Sequence, residues 1–152
     1  MFFAPDSPLQ FVLTEKGDSQ AQEFIKTNLK RFNDSHSPLH KSQRKIGRHT
    51  LDIYLRNTQN QVVGGLMGGT YWSWLSIDEL WIEKAWRGQG VGSKLIQLAE
   101  EEALNRKCRK SQVKTWSFQA KEFYIKRGYQ VTGKLEDYPE GMTFYWLYKS
   151  LV

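Results

Sequence analysis

The chain has 152 residues, enough for one domain with a core of its own, and no stretch approaches the ~18 consecutive apolar residues of a membrane span. Cys108 is the sole cysteine, so no intrachain disulfide can form; Met1–Asp6 lacks the basic start of a signal peptide, and a cytoplasmic setting fits both features. The net charge of +6 and sequence pI of about 9.4 suit anionic ligands, whether phosphate-bearing small molecules or nucleic acid.

The first 48 residues predict a short strand over Leu9–Leu13, then a helix capped by Asp18 or Ser19. That helix carries Ala21, Phe24, Ile25 and Leu29 at helical spacing. Residues 33–48 are polar, include Pro38, and read as a loop or a broken second helix. Alternation over Thr50–Leu55, a turn at Asn57–Asn60 and a glycine-loosened return over Val62–Thr70 predict a hairpin. After an aromatic turn at Tyr71–Trp74, a central strand runs from Ser76 to Ile82. From Val91 to about Asn105 a helix is expected to bury Leu95, Ile96, Leu98, Ala99 and Ala103. A strand at Gln112–Trp116 leads to a helix capped by Ser117 and closed by Gly128 at its C′ position. Two strands follow, at Tyr129–Val131 and Phe144–Leu147. Together these predict a single α/β domain, a mixed sheet with helices on its faces.

The most specific local feature is Arg87-Gly88-Gln89-Gly90-Val91-Gly92-Ser93, between the apolar Leu80-Trp81-Ile82 and the helix from Val91. Glycines let a ligand approach the backbone, and a helix start offers unpaired N–H groups with partial positive charge. Arg87 adds a planar cation suited to phosphate oxygens. A dinucleotide fingerprint needs its third glycine one residue later and an acid about 20 positions on, and neither is present. A Walker loop needs Gly-Lys-Ser/Thr, which Gly92-Ser93-Lys94 does not supply.

The arrangement of Arg87, Gly90 and Gly92 after an apolar strand resembles the acyl-CoA loop of the GNAT superfamily of N-acetyltransferases. Phe123-Tyr124-Ile125-Lys126-Arg127-Gly128-Tyr129 resembles a second element of that family, and the predicted element order matches it. The resemblance runs from about Gly64 to Val152. Gly133–Gly141, with Asp137-Tyr138-Pro139-Glu140-Gly141, looks like a D-Y-P-x-G loop of some small bacterial members, although Met142 stands where they often have His. Pro139 and Gly141 alone would also make this a plain turn.

The resemblance implies the GNAT fold, acetyl-CoA as cosubstrate, no metal, and direct transfer of acetyl from the thioester to a primary amine of a small molecule or protein. The loop Arg87, Gly88, Gln89, Gly90, Val91, Gly92 and Ser93 would hold the pyrophosphate. Backbone groups of Leu80, Trp81 and Ile82 would bind the pantetheine arm and the oxyanion. Transfer also needs a base for the ammonium and an acid for the leaving thiolate. The family's acid falls on Tyr124, whose phenol is protonated at neutral pH; an aromatic on a helix's inner face is otherwise core. Counting nine positions back from Arg87, as in polyamine- and aminoglycoside-acetylating members, makes Asp78 the base. Glu79 is the alternative, since strand alternation separates the two and a bulge would exchange them.

Trp72, Trp74, Trp81 and Trp116 are candidates for an acceptor pocket, with the two turn residues preferred over the others. His36, His40 and His49 lack metal-ligand spacing. Cys108 lies between Lys107 and Arg109, charges that favour the thiolate. Two basic clusters, Lys41/Arg44/Lys45/Arg48 and Arg106/Lys107/Arg109/Lys110, accompany no nucleic-acid motif, so nucleic acid is not the expected partner. A non-catalytic acyl-CoA-binding module on the same fold is the alternative function. Family habit also makes a homodimer plausible.

Overall fold

The computed structural model describes residues 9–152; the Met1–Asp6 segment lies outside them. The chain forms two compact units, divided between Lys45 and Ile46.

The first unit is helical. Helix α1 spans Ser19–His36, and Asp18 caps it by accepting from the Gln20 and Ala21 amides at 2.9 and 3.1 Å. Ser37 is extended and ends α1. Pro38 then opens helix α2 (Pro38–Ile46), with the Ser37 hydroxyl accepting from the His40 amide at 3.1 Å. Residues 33–48 are therefore a broken second helix, further held by an Arg44–Asp34 ion pair. The strand expected at Leu9–Leu13 does not form. Its residues join no ladder, and Leu9, Phe11, Val12 and Leu13 are exposed. An apolar run becomes a strand only where a sheet edge accepts its backbone, and this run has no such pairing.

The second unit is built on a six-stranded mixed sheet in the order β1-β2-β3-β4-β6-β5. The strands are β1 His49–Arg56, β2 Val62–Tyr71, β3 Trp74–Ile82, β4 Lys110–Trp116, β5 Gln130–Leu135 and β6 Phe144–Ser150. All neighbouring pairs are antiparallel except β3 with β4. Trp72 and Ser73 form the two-residue turn from β2 to β3, both with positive φ (52° and 62°), as a hairpin turn matching strand twist requires.

Two irregularities in β3 coincide. Against β2, Met67 pairs with Glu79 while Gly68 pairs with Ile77, so Asp78 is an extra residue, a β-bulge. Against β4, pairing runs from Trp74↔Lys110 to Ile77↔Val113 and stops there. From Asp78 onward β3 has a partner on one side only, and the sheet opens between it and the end of β4.

Helix α3 (Val91–Asn105) buries Gly92, Leu95, Ile96, Ala99 and Ala103 on one stripe, packed with Leu51, Leu66, Leu75, Ile77 and Ile82 of the sheet. Leu98, expected inside, is 37% exposed, because it lies at the edge of that stripe. Helix α4 is short, Lys121–Ile125, and Ser117 does not cap it. The Ser117 hydroxyl instead accepts from the Thr143 amide at 3.1 Å, tying the turn after β4 to the start of β6. Gly128 closes α4 as expected: with φ +88°, it donates to Ile125 (3.0 Å) while Tyr129 donates to Tyr124 (3.1 Å), a Schellman pair of bonds.

Beside α4, Tyr129 is almost wholly buried. Its hydroxyl lies 2.7 Å from Ser111 Oγ and donates to Glu100 at 3.1 Å; Glu100 also takes a 2.7 Å bond from Lys149. Burial raises the Tyr129 phenol, keeping this buried polar network in one protonation state.

Candidate active site

The loop between β3 and α3 begins with a 3₁₀ turn, Lys84–Trp86, and continues as Arg87–Gly90. Gly88 and Gly90 have φ of +73° and +78°, left-handed values that suit glycine, and a Cβ on either would meet open space. Gly90 is the N-cap of α3 and offers no side-chain cap. Among the described residues, the amides of Gly88 through Ser93 have no hydrogen-bond acceptor. Such a run of bare N–H groups at the positive end of a helix is an anion cradle. Gly92 has a different task. A Cβ there would stand 3.1 Å from the Phe123 ring and 3.4 Å from Ile82 Cδ1, so glycine lets α4 close against α3.

The cradle forms the floor of a cavity of about 370 Å³, lined also by Leu80, Trp81, Ile82, Trp86, Ala120, Phe123 and Arg127. Arg87 borders it, yet its Nε donates to the Ile82 carbonyl at 2.7 Å, bracing the loop against the end of β3. Arg127 belongs to the Phe123–Tyr129 element of the sequence, where no role falls to it. Its guanidinium lies over the Phe123 ring at 3.6 Å, donates to the Phe123 carbonyl at 2.7 Å, and reaches Ser93 Oγ. The signal was its place three residues after Tyr124, one helical turn along the same face.

A second cavity, about 630 Å³, fills the opening between β3 and β4 and shares Leu80, Trp81, Arg87 and Ala120 with the first. Both Asp78 and Glu79 line it, which strand alternation alone would not allow. The bulge at Asp78 is the physical reason. The two carboxylates differ in their surroundings. Asp78 is ion-paired with Arg48 and accepts from Ser76 Oγ at 3.0 Å. Arg48 reaches it across β2 by lying over Gly69, where a Cβ would collide with the guanidinium at 2.7 Å. Glu79 has no hydrogen-bond partner among the described residues, and its charge acts on Tyr124.

Tyr124 is buried and packs edge-to-face against Phe123 and Tyr129, at ring-centre distances of 5.2 and 5.8 Å. Among the described residues its hydroxyl has no hydrogen-bond partner, and Tyr124 lines the second cavity. Burial, aided by the Glu79 charge, pushes the phenol up to about 12, so it keeps its proton at neutral pH.

Trp116, Tyr138 and Phe144 make the facing wall. Trp116 and Tyr138 each meet Phe144 edge-to-face (4.7 and 5.6 Å), and Trp116 Nε1 donates to the Tyr138 carbonyl at 2.8 Å. Of the four candidate tryptophans, Trp81 and Trp116 line cavities. Trp72 and Trp74 line neither of these two cavities, because they stand at the far end of β3, about 25 Å from Ile82 at ~3.3 Å per residue. Trp72 stacks on Tyr71, and Trp74 packs near Tyr148 beneath Lys110. Cys108 is buried and its thiol is pushed up; desolvation outweighs the charge of Arg106, contrary to the lowering expected from its basic neighbours. Among the described residues no three of His, Cys, Asp and Glu converge as a metal site, and no helix is long and apolar enough to cross a membrane.

Comparison with known proteins agrees with this geometry. Residues 18–129 match the sequence model of the Acetyltransferase (GNAT) family. The chain is 38% identical over 130 residues to a blasticidin-S acetyltransferase of Streptomyces morookaense, covering 81% of this chain and 96% of that protein. It is 34% identical over 146 residues to the acetyltransferase Atu2258 of Agrobacterium fabrum, covering 93% and 98%. The crystal structure of a Bacillus cereus acetyltransferase superposes with a TM-score of 0.77 at 31% identity, covering 91% of this chain and 97% of that one. The six-stranded mixed sheet with its flanking helices matches the fold of that acetyltransferase structure, and the chain belongs to the GNAT family of N-acetyltransferases.

Proposed function

We propose that the 152-residue chain acts as a single N-acetyltransferase domain that moves acetyl directly from acetyl-CoA to a cationic amine of a small molecule. One observation carries this reading. Glu79 and Tyr124, a carboxylate without a partner and a phenol that holds its proton, face one cavity that adjoins the amide cradle. Acetyltransferases of this family draw their acetyl group from acetyl-CoA, and the chain fits that cosubstrate. The bare amides from Gly88 to Ser93 suit its pyrophosphate, and the free edge of β3 along Leu80–Ile82 suits its pantetheine arm and the thioester oxygen.

Glu79 takes a proton from the acceptor ammonium, directly or through water. The freed amine nitrogen bonds to the thioester carbonyl carbon, the C–S bond breaks, and Tyr124 gives its proton to the departing sulfur; the nitrogen's second proton, lost as the amide forms, passes through water to restore the Tyr124 phenol, and Glu79 returns its own proton to solvent. Asp78, paired with Arg48, adds negative charge to the acceptor side without serving as the base.

The aromatic wall of Trp116, Tyr138 and Phe144 beside two carboxylates favours an amine that carries positive charge next to a flat or apolar body. The relation to a blasticidin-S acetyltransferase supports a small-molecule acceptor of that kind. Relatives named as enzymes disfavour the non-catalytic binding module. The test is an acceptor panel containing blasticidin S, aminoglycosides, polyamines, amino acids and N-terminal peptides, followed by thiol release from acetyl-CoA. Turnover with a small cationic amine is expected. Release only with peptides would overturn the acceptor class, and tight acetyl-CoA binding with no release on any amine would restore the binding module.

A further inference from the structure

Arg127 occupies an electrostatically awkward position. It stands at the N-terminal, positive end of α3, where a cation is disfavoured, and Arg87 borders the same cavity. No acidic residue lines this cavity, and Arg127 makes no ion pair among the described residues. Its Nε is sealed from solvent without an acceptor, and burial lowers its proton affinity. A partly desolvated cation with a sealed, unused donor, beside a row of unused amides, is suited to an anion.

Its place in the chain gives that anion a second effect. Arg127 follows Tyr124 by three residues. α4 has five residues and no side-chain cap, so its own hydrogen bonds hold it weakly. The segment meets the start of α3 through the Phe123 ring against Gly92 and the Arg127 guanidinium, which joins the Phe123 carbonyl to Ser93 Oγ; behind it, Tyr129 is bonded to Glu100 farther along the same helix. Ser93 belongs to the cradle.

Resting on the acetyl-CoA reading above, we infer that Arg127 is a positioning residue: it bridges the pyrophosphate in the cradle to the Phe123–Gly128 segment, so that filling the cradle holds Tyr124 in place at the thioester. The donor's remote, non-reacting end thereby contributes to the chemical step as well as to binding.

The test compares acetyl-CoA with S-acetylpantetheine, which carries the same thioester and arm but no pyrophosphate, in the wild type and in Arg127→Gln and Arg127→Lys. In the wild type, kcat for acetyl-CoA should exceed that for S-acetylpantetheine. Arg127→Gln should weaken CoA binding by about 10- to 100-fold, the range for losing a charged hydrogen bond, and should narrow the kcat ratio between the two donors. Lys keeps the charge without the fork, so Arg127→Lys should recover affinity more than it recovers the ratio.

Hydrogen exchange supplies a readout independent of turnover. CoA, but not pantetheine, should slow exchange at the amides of residues 124–129 in the wild type, and this difference should vanish in Arg127→Gln. Equal slowing in wild type and variant, or an unchanged kcat ratio, would overturn the inference. Gly90→Val run in parallel separates the two levels: if it leaves CoA affinity intact, the cradle itself is wrong, whereas if it abolishes binding while Arg127→Gln changes neither ratio nor exchange, only the bridging role fails.

Discussion

Tyr124→Phe distinguishes an acid from a packing residue because the two roles predict opposite signs for stability. The Tyr124 ring packs against Phe123 and Tyr129, and phenylalanine preserves those contacts. Among the described residues the hydroxyl makes no hydrogen bond, and it is largely desolvated, so its removal should cost nothing and relieve about 1 kcal/mol. For a chain of this length that is a rise in Tm of roughly 2–4 °C at pH 7. Activity should move the other way, with kcat falling about 10²-fold or more and acetyl-CoA affinity unchanged. The defect should shrink with an acetyl donor whose thiol leaves as a stable anion.

High pH gives a second signature. The folded protein holds the Tyr124 proton up to about 12, whereas the unfolded chain releases it near 10. Between those values the unfolded state binds fewer protons, so stability falls as pH rises; the contribution is fully present below about pH 10 and lost by about pH 12. Two units correspond to about 3 kcal/mol of extra alkaline sensitivity in the wild type, absent from the variant. Tyr129, raised in the same direction chiefly by burial, is present in both proteins; the Tyr124 charge is the last of the causes raising it, so most of its contribution cancels in the difference. Urea melts from pH 8 to 12, paired with stopped-flow acetyl transfer, measure both signatures. A variant that melts several degrees lower yet keeps wild-type turnover on both donors would refute the acid role and leave Tyr124 as core.

Glu79→Gln should lower turnover by about 10²–10⁴-fold with acetyl-CoA binding retained, while Asp78→Asn chiefly raises the acceptor KM; the reverse pattern would return the base to Asp78. Gly90→Val should abolish measurable CoA binding by calorimetry. The structural penalty of a branched residue at φ +78° is only about 1–2 kcal/mol, so circular dichroism should still show a folded protein. Tyr129→Phe leaves the buried Ser111 hydroxyl without its partner and should cost about 2 kcal/mol, a Tm drop of roughly 4–8 °C, with kcat little changed.

The parts of this molecule that were legible in the sequence are those set by local rules. Asp18 before a helical run, Pro38 after a polar stretch, Gly128 behind Arg127 and the spacing of Gly88, Gly90 and Gly92 each fix a backbone conformation within a few residues. What was hidden depends on partners distant in sequence. Leu9–Leu13 looks like a strand but finds no ladder. Asp78 and Glu79 share a cavity only because β3 gains a residue against β2, and nothing within Ser76–Ile82 announces a bulge. Ser117 is a good cap by composition, but Thr143, 26 residues on, takes its hydroxyl. Trp72 and Trp74 were favoured for lying in a turn, yet that turn is at the wrong end of β3. Arg127 reads as one more surface cation until α4 is laid against α3.

The opening between β3 and β4 also divides the enzyme's capacity to change. In the reading proposed above, the donor is recognised chiefly through main chain: bare amides from Gly88 to Ser93 and the open edge of β3 along Leu80–Ile82, groups that a substitution in the acceptor wall leaves in place. The acceptor, in the same reading, meets side chains: Trp116 from β4, Phe144 from β6 and Tyr138 from the loop between β5 and β6. Mutations can therefore redraw the acceptor wall one residue at a time without disturbing how the acetyl donor is read. A scaffold divided in this way can drift from one amine to another while remaining an acetyltransferase at each intermediate step.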